Sequence, residues 1–276
     1  MGYILKIDLE TKFLPSRPRI AFTQLGAGEL VVLIHGIGGN KENWYSNIEM
    51  LSKNFNVVAL DLRGYGESDD FKGPMNFFDV ADDIYKLILY LAEKKCHIVG
   101  LSMGAQIALY FYKKYPDLTK SLILCDAPLG FQDFTENERK KFIKLRRKPI
   151  EDGTDLTTMA INIADTLIGK KSNKHVHNEL VGSMQKLHKK TYLKAIDTFV
   201  KSNHYNILSS LDIPVLVLVG ELDSLTPISM AKEISSKIDG SIFKIISNAG
   251  HLSNIENPDE FNKVVLGFLS NLVKNC

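Results

Sequence analysis

A chain of 276 residues can bury a sizeable core without disulfide staples, and its three cysteines are odd in number, with Cys96 and Cys125 inside apolar runs. This usage points to a reducing compartment, so a cytoplasmic protein is expected. A formal net charge of +2 argues against a nucleic-acid partner, and no apolar run approaches a membrane span, so a soluble protein is expected. The first residues, MGYILKIDLETKF, alternate apolar and charged side chains and lack the basic-then-apolar layout of a signal peptide.

In chain order, "YILKIDLE" and "PRIAFTQLG" are expected to add antiparallel strands at one sheet edge. The runs "ELVVLIHG" (Glu29 to Gly36), "NVVALDLRG" (Asn56 to Gly64), "CHIVGLS" (Cys96 to Ser102) and "SLILCDAP" (Ser121 to Pro128) are short, apolar and β-branched. So are "IPVLVLVGELD" (Ile213 to Asp223) and "SIFKIISNAGH" (Ser241 to His251), and all six read as strands buried on both faces. Helix-period stretches alternate with them at Lys41 to Lys53, Asn76 to Glu93, Met103 to Tyr115, Pro227 to Lys237 and Pro258 to Val273. Such alternation implies a mostly parallel sheet with helices on both faces, an α/β fold.

Between Phe131 and about Ser209 the strand signal stops. This segment holds 15 Lys and Arg against 9 Asp and Glu, whereas the remainder holds 19 against 23, so it is read as a separate unit. The expected organisation is a core over residues 1–130, a helical cap over 131–209 inserted after the sixth strand, and the rest of the core over 210–276. Loops at the carboxyl ends of parallel strands line the ligand crevice, so the cap should overhang the site.

Gly100-Leu101-Ser102-Met103-Gly104 fits G-x-S-x-G, with a strand before it and the helical pattern Ala105, Ile107, Ala108, Leu109, Phe111 after it. The chemistry needs a sharp turn that exposes a strained serine, with glycines that let strand and helix approach. Ser102 is therefore the expected nucleophile. A serine hydroxyl needs a base and an orienting acid. Of seven histidines, His35 closes a strand, His97 begins one, and His175, His177, His188 and His204 lie in the cap. His251 instead sits in a loop after the last strand, and the order serine, acid, histidine suits this turn type, so His251 is the expected base. Asp223, ending its strand before a Pro-started helix, is the expected acid; Asp126 is the alternative and Glu221 a nearby decoy. The backbone N–H of Met103 should supply one oxyanion donor and that of Ile37, in the glycine-rich "HGIGGN", the second. Phosphate cradling is disfavoured because no Lys-Ser/Thr follows those glycines.

Four segments taken together, "HGIGGN" with Trp44 downstream, "DLRGYGESD", "GLSMG" and "GELD…AGHLSNIENPDEF", resemble the α/β-hydrolase family over essentially the whole chain. The resemblance implies an eight-stranded, mostly parallel sheet, an acyl-enzyme mechanism, a small-molecule ester or lactone substrate, and no metal or organic cofactor. Within the family the chain is similar to small carboxylesterases, 3-oxoadipate enol-lactonases and C–C bond hydrolases. The last group usually carries Trp directly after the histidine, where this chain has Leu252. Gly36, Trp44, Leu129, Phe131 and Leu252 are expected to line the substrate pocket, and Arg63 to be structural. Phe131, Phe134, Phe142, Met159, Met184 and Phe199 are expected to form a cap core, with a few of them lining an acyl pocket as the alternative. "RKKFIKLRRK", Arg139 to Lys148, carries seven positive charges in ten residues, read either as a solvated helix face or as a field that attracts an anionic substrate. Oligomeric state leaves no signal in the sequence.

Overall fold

The computed structural model describes residues 9–131, 135–169 and 174–274. Eight strands form one sheet: β1 (Lys12–Leu14), β2 (Ile20–Leu25), β3 (Leu30–Ile34), β4 (Asn56–Leu60), β5 (Cys96–Leu101), β6 (Thr119–Cys125), β7 (Val215–Gly220) and β8 (Ile242–Ile246). Their order is β1-β2-β4-β3-β5-β6-β7-β8. Only β1 with β2 and β2 with β4 run antiparallel. The other pairings are parallel, as expected of an α/β-hydrolase fold.

The period of two along each strand divides the core into halves. Leu30, Val32 and Ile34 of β3, with Ile98 of β5 and Leu122 and Leu124 of β6, face one side. There they meet α2 (Phe77–Tyr90), α3 (Met103–Lys114) and α9 (Ile228–Ser236). Val31, Leu33, Val99, Leu101, Ile123 and Cys125 face the other side, against α1 (Tyr45–Leu51) and α11 (Pro258–Lys274). Because α1 and α2 lie on opposite faces, the crossovers around β3 diverge. The crevice between the carboxyl ends of β3 and β5 is the topological switch where open α/β sheets bind ligands.

The edges differ from the sequence expectation. Of "YILKIDLE", residues 3–8 lie outside the described residues and Leu9 and Glu10 are not in a strand; among the described residues the edge strand is Lys12–Leu14. Nor is β8 buried on both faces: Ile242 is 45% and Ile245 38% exposed. Its apolar run resembles that of a central strand, but among the described residues β8 has a neighbour on one side only.

Between β6 and β7 the described residues form α4 (Glu136–Glu151), α5 (Leu156–Leu167), α6 (Lys174–Gln185), α7 (Lys189–Phe199) and the short α8 (Tyr205–Leu208). Thr135 caps α4 in a reciprocal box with Glu138, and Asp155 caps α5 by accepting from Thr158 N–H. Met159, Met184, Tyr192 and Phe199 extend one half of the core, while Ala164, Val176 and Leu180 extend the other. The insertion is thus packed on both halves. The short α10 (Ser253–Glu256) precedes α11.

Candidate active site

The turn after β5 is built by steric necessity. Ser102 has φ 53° and ψ −115°, a conformation that costs an L residue on the order of 1–3 kcal/mol and persists only when the surroundings impose it. Those surroundings are glycines. A Cβ at Gly100 would overlap the carbonyl of Gly104, and one at Gly104 would overlap the carbonyl of Ile34. Strand β5 and helix α3 therefore pack backbone to backbone, leaving Ser102 at the tip, 6% exposed. Ala105, wholly buried in α3, is accommodated.

Gly36, which follows β3, lies against this turn: a Cβ there would stand 3.2 Å from Ser102 Cβ. The Gly36 carbonyl accepts from Gly39 N–H at 3.1 Å and from His35 Nδ1 at 2.8 Å. His35 Nε2 accepts from Leu62 N–H at 3.1 Å, so this imidazole is neutral with its proton on Nδ1. Burial agrees, pushing its pKa below the ordinary histidine value. Because the peptide unit is planar and trans, pinning the Gly36 carbonyl turns the Ile37 N–H to the opposite side. Met103 N–H is in the first turn of α3, where amides have no helical acceptor. These are the two amides expected to face an oxyanion.

Asp223 and His251 meet. His251 Nδ1 lies 2.9 Å from Asp223 Oδ2, with both side chains almost fully buried. The aspartate is held in turn: Oδ1 accepts from Leu225 and Thr226 N–H at 2.8 and 2.9 Å, and Oδ2 from Thr226 Oγ1 at 2.6 Å. Burial alone would raise the Asp223 pKa, but the hydrogen bond and charge of His251 and the Thr226 donors outweigh it and hold the group below the ordinary carboxylate value. Burial likewise disfavours a charged His251, yet the bond to Asp223 and that carboxylate's charge raise its pKa above the usual histidine value. With Nδ1–H donating to Asp223, Nε2 is left as the proton acceptor. Among the described residues no hydrogen bond joins Ser102 to His251.

Asp126 does not orient the histidine. Its Oδ1 accepts from Gly220 N–H at 2.8 Å and its Oδ2 from Ser253 Oγ at 2.6 Å, tying β6 to β7 and to the segment after His251. Burial and the charge of Asp223 hold its pKa above the ordinary carboxylate value. Glu221 accepts from Asn248 N–H and is likewise occupied elsewhere.

The helical insertion grips the histidine loop. The carbonyl of Leu167, at the end of α5, accepts from His251 N–H at 2.9 Å, and Gly169 N–H donates to Glu256 Oε2 at 2.9 Å. Gly169 and Gly250 touch so closely that a Cβ at Gly169 would stand 2.6 Å from Gly250 N. Neither this grip nor Glu256 was signalled by the sequence, because it depends on two segments far apart in the chain. Thr226 was more accessible to sequence reasoning, since an aspartate commonly hydrogen-bonds backbone two or three residues on.

Of the residues expected in a pocket, Gly36 lies against Ser102, and Leu129, Phe131 and Leu252 are buried at the ends of β6 and β8. Trp44 is a correction. Wholly buried and 6.1 Å from the Phe261 ring, it belongs to the core beneath α1 and α11, because the short 3-10 turn Lys41–Trp44 rotates it inward. Phe131, Phe142 and Phe199 cluster with ring centroids 4.8 to 6.1 Å apart; Phe134 lies outside the described residues. Arg63 grips Asp83 through Nε and Nη2 and is structural. His97 pairs with Ser121 and Glu29, and His204 with the Pro128 carbonyl. An open groove of about 720 Å³ between Pro74–Phe78 and Lys194–Ser202 of the insertion contains none of the candidate catalytic residues.

A family model described as the alpha/beta hydrolase fold matches residues 29–258. The chain is 28% identical over 266 residues to a 2-hydroxy-6-oxononadienedioate/2-hydroxy-6-oxononatrienedioate hydrolase of Escherichia coli, covering 91% of each. It superimposes on a thermophilic esterase from Thermogutta terrifontis with a TM-score of 0.86 and 26% identity, covering 95% of this chain and 99% of that one. The enol-lactonase from Burkholderia xenovorans gives a TM-score of 0.83 at 21% identity, over 91% of this chain and 96% of that one, a likeness of fold alone.

Proposed function

The chain belongs to the alpha/beta hydrolase fold family, and on that premise we propose that it is a serine hydrolase cleaving carboxylic esters of small to medium acyl groups. The observation that carries this reading is the buried His251–Asp223 pair at the sheet edge where the strained Ser102 turn stands. Ser102 Oγ attacks the ester carbonyl carbon as its proton passes to His251 Nε2, and the carbonyl electron pair moves onto oxygen. Ile37 and Met103 amides hold that oxyanion, each such donor being worth roughly a hundredfold or more in rate. The tetrahedral intermediate then collapses, the C–O bond to the leaving group breaks, and His251 returns the proton to the departing alcohol. Water, deprotonated by the same nitrogen, attacks the acyl-serine and restores Ser102. The helices between residues 131 and 209 act as the cap that selects the acyl group, and the buried free thiols Cys96 and Cys125 accord with a reducing, cytoplasmic setting.

A second reading, hydrolysis of a C–C bond in a dienoic diketone, has the support of the Escherichia coli relative. Leu252 beside the histidine weighs against it. The test is a panel of esters, lactones and dienoic diketones of graded acyl length, assayed with the wild type and Ser102→Ala. An initial burst of alcohol followed by steady turnover, lost in the variant, is the expected outcome; full activity in Ser102→Ala overturns the mechanism. Ligand binding without turnover of any substrate class would identify a non-catalytic binder.

A further inference from the structure

The turn that carries Ile37 follows β3 and the loop that carries His251 follows β8, and in the sheet β5, β6 and β7 stand between those two strands. Direct strand pairing therefore does not fix the spacing of turn and loop. Asparagine side chains do, where α1, α10 and α11 meet. Asn254, three residues after His251, donates from Nδ2 to the Asn43 carbonyl at 2.8 Å and to Asn47 Oδ1 at 3.1 Å. Asn47 of α1 returns the bond, its Nδ2 donating to the Asn254 carbonyl at 3.1 Å and to Asn262 Oδ1 at 2.9 Å. Asn262 of α11 in turn donates to the Ser46 carbonyl at 3.2 Å.

The other end of this network lies in the oxyanion turn. Asn43 Oδ1 accepts from Asn40 N–H at 2.9 Å and from Ser183 Oγ of α6 at 3.1 Å. Gly39 packs against the same oxygen, since a Cβ there would stand 2.7 Å from it. Gly39 N–H donates to the Gly36 carbonyl, and the direction of that carbonyl turns the Ile37 N–H. Hydrogen bonds and one close contact thus lead from the residue after the histidine loop to the oxyanion amide. Asn43, Asn47, Ser183, Asn254 and Asn262 are all buried. A carboxamide both donates and accepts, so it can join two turns that share no backbone ladder. Out of water such bonds fix one arrangement, where packed aliphatic side chains tolerate several.

We propose that Asn254 is a positioning residue: through Asn43 it couples the histidine loop to the oxyanion turn, so that His251 Nε2 and the Ile37 amide keep one spacing about Ser102. The effect on rate rests on the hydrolase reading; the coupling of the two loops does not. Asn254 acts through those loops and not on the reacting atoms. The base and the oxyanion donor must be right at the same moment, so a bridge between their supports serves the transition state more than the bound substrate.

The experiment makes two measurements on Asn254→Ala. The first is amide hydrogen exchange without substrate, read by mass spectrometry. Exchange over residues 36–40 should quicken by about 10-fold or more, while α2, on the opposite face of the sheet, keeps its wild-type rate. The second compares an activated ester with a trifluoromethyl ketone of the same acyl group. Ser102 Oγ adds to the ketone carbon, its proton passes to His251 Nε2, and the carbonyl electron pair becomes an oxyanion facing the Ile37 and Met103 amides. The expected result is a fall in kcat of about 10- to 100-fold with KM within about 3-fold, and a rise in the ketone Ki that follows the loss of kcat/KM. Ki does not depend on how much of the enzyme is folded, so a variant that is merely less stable would lower kcat and leave Ki alone. Wild-type exchange over residues 36–40 overturns the coupling, as does an unchanged Ki. Ser183→Ala removes one hydroxyl from the far end of the network and answers the same question should Asn254→Ala fail to fold. It should quicken exchange over residues 36–40 and raise Ki by a few fold, and wild-type values of both would overturn the proposal. Faster exchange in a protein that turns over no ester keeps the coupling and removes the hydrolase; Ser102-dependent cleavage with unchanged exchange does the reverse.

Discussion

Substituting Gly169 by alanine tests whether the helical insertion positions the histidine. The added Cβ would stand 2.6 Å from Gly250 N and 2.9 Å from both Gly250 Cα and Leu222 Cβ. Ordinary contact begins near 3.4 Å, so the backbone on one side must retreat by about 0.8 Å. The retreat breaks or lengthens the Gly169 N–H bond to Glu256 and the Leu167 carbonyl bond to His251 N–H, both 2.9 Å. A misplacement near 1 Å at a reacting group can cost about 100-fold in rate, and overpacking of this size costs about 1–3 kcal/mol in stability. The expected result is a fall in kcat of about 10- to 100-fold with KM changed much less. The control is Gly182→Ala in α6, where a Cβ meets nothing within 4 Å; a good helix former there should leave activity intact. Steady-state kinetics with one activated ester, alongside thermal unfolding, decide the matter. A Gly169→Ala variant with wild-type kcat would refute the idea that contacts from the insertion hold the base.

His251 must be neutral to accept the Ser102 proton, and its pKa is raised, so kcat/KM should rise with pH through an inflection above the ordinary histidine value. In Asp223→Asn that inflection should move down as the stabilising charge is lost, while kcat falls by roughly 10⁴-fold through loss of the correct tautomer; an unmoved inflection assigns the titration to another group. Thr226→Val removes the hydroxyl that donates to Asp223 Oδ2 but leaves the two backbone donors, so a loss of about 10-fold in kcat/KM is expected from the same assay. Lys41 lies buried with its Nζ 3.1 Å from Asp61 Oδ2 and 2.5 Å from Glu67 Oε1, and Lys41→Met would leave the fully buried Asp61 without its counter-ion, held only by the Lys41 and Glu67 N–H groups. Denaturant unfolding should show a loss of about 3–5 kcal/mol, and a loss under 1 kcal/mol would contradict the assignment.

The Ser102 turn was legible because local chemistry suffices for it. Glycines two residues to either side of a serine, between a β-branched run and a helical period, have few other uses, and Gly100 and Gly104 stand where side chains have no room. The choice between Asp223 and Asp126 was not local. Both end strands at the same sheet edge, and what separates them is which partner the returning loop brings: His251 to Asp223, Ser253 to Asp126. The exposure of β8 and the inward turn of Trp44 escaped for a related reason, since an apolar residue reads the same at an edge, in a core or on a pocket wall.

By itself the sequence determined the alternation of buried strands and amphipathic helices, the strained serine and the chain order of serine, acid and histidine. Periodicity and glycine placement act within a few residues of one another, so they survive in one dimension. Only the tertiary structure decided that Leu167 and Glu256 hold the two ends of the histidine loop to the insertion, and that Arg146 of the basic helix lies half-buried over the Phe142 ring. Those contacts depend on the register in which distant segments pack, and a hydrogen bond formed across about 90 residues leaves no periodic trace in either partner.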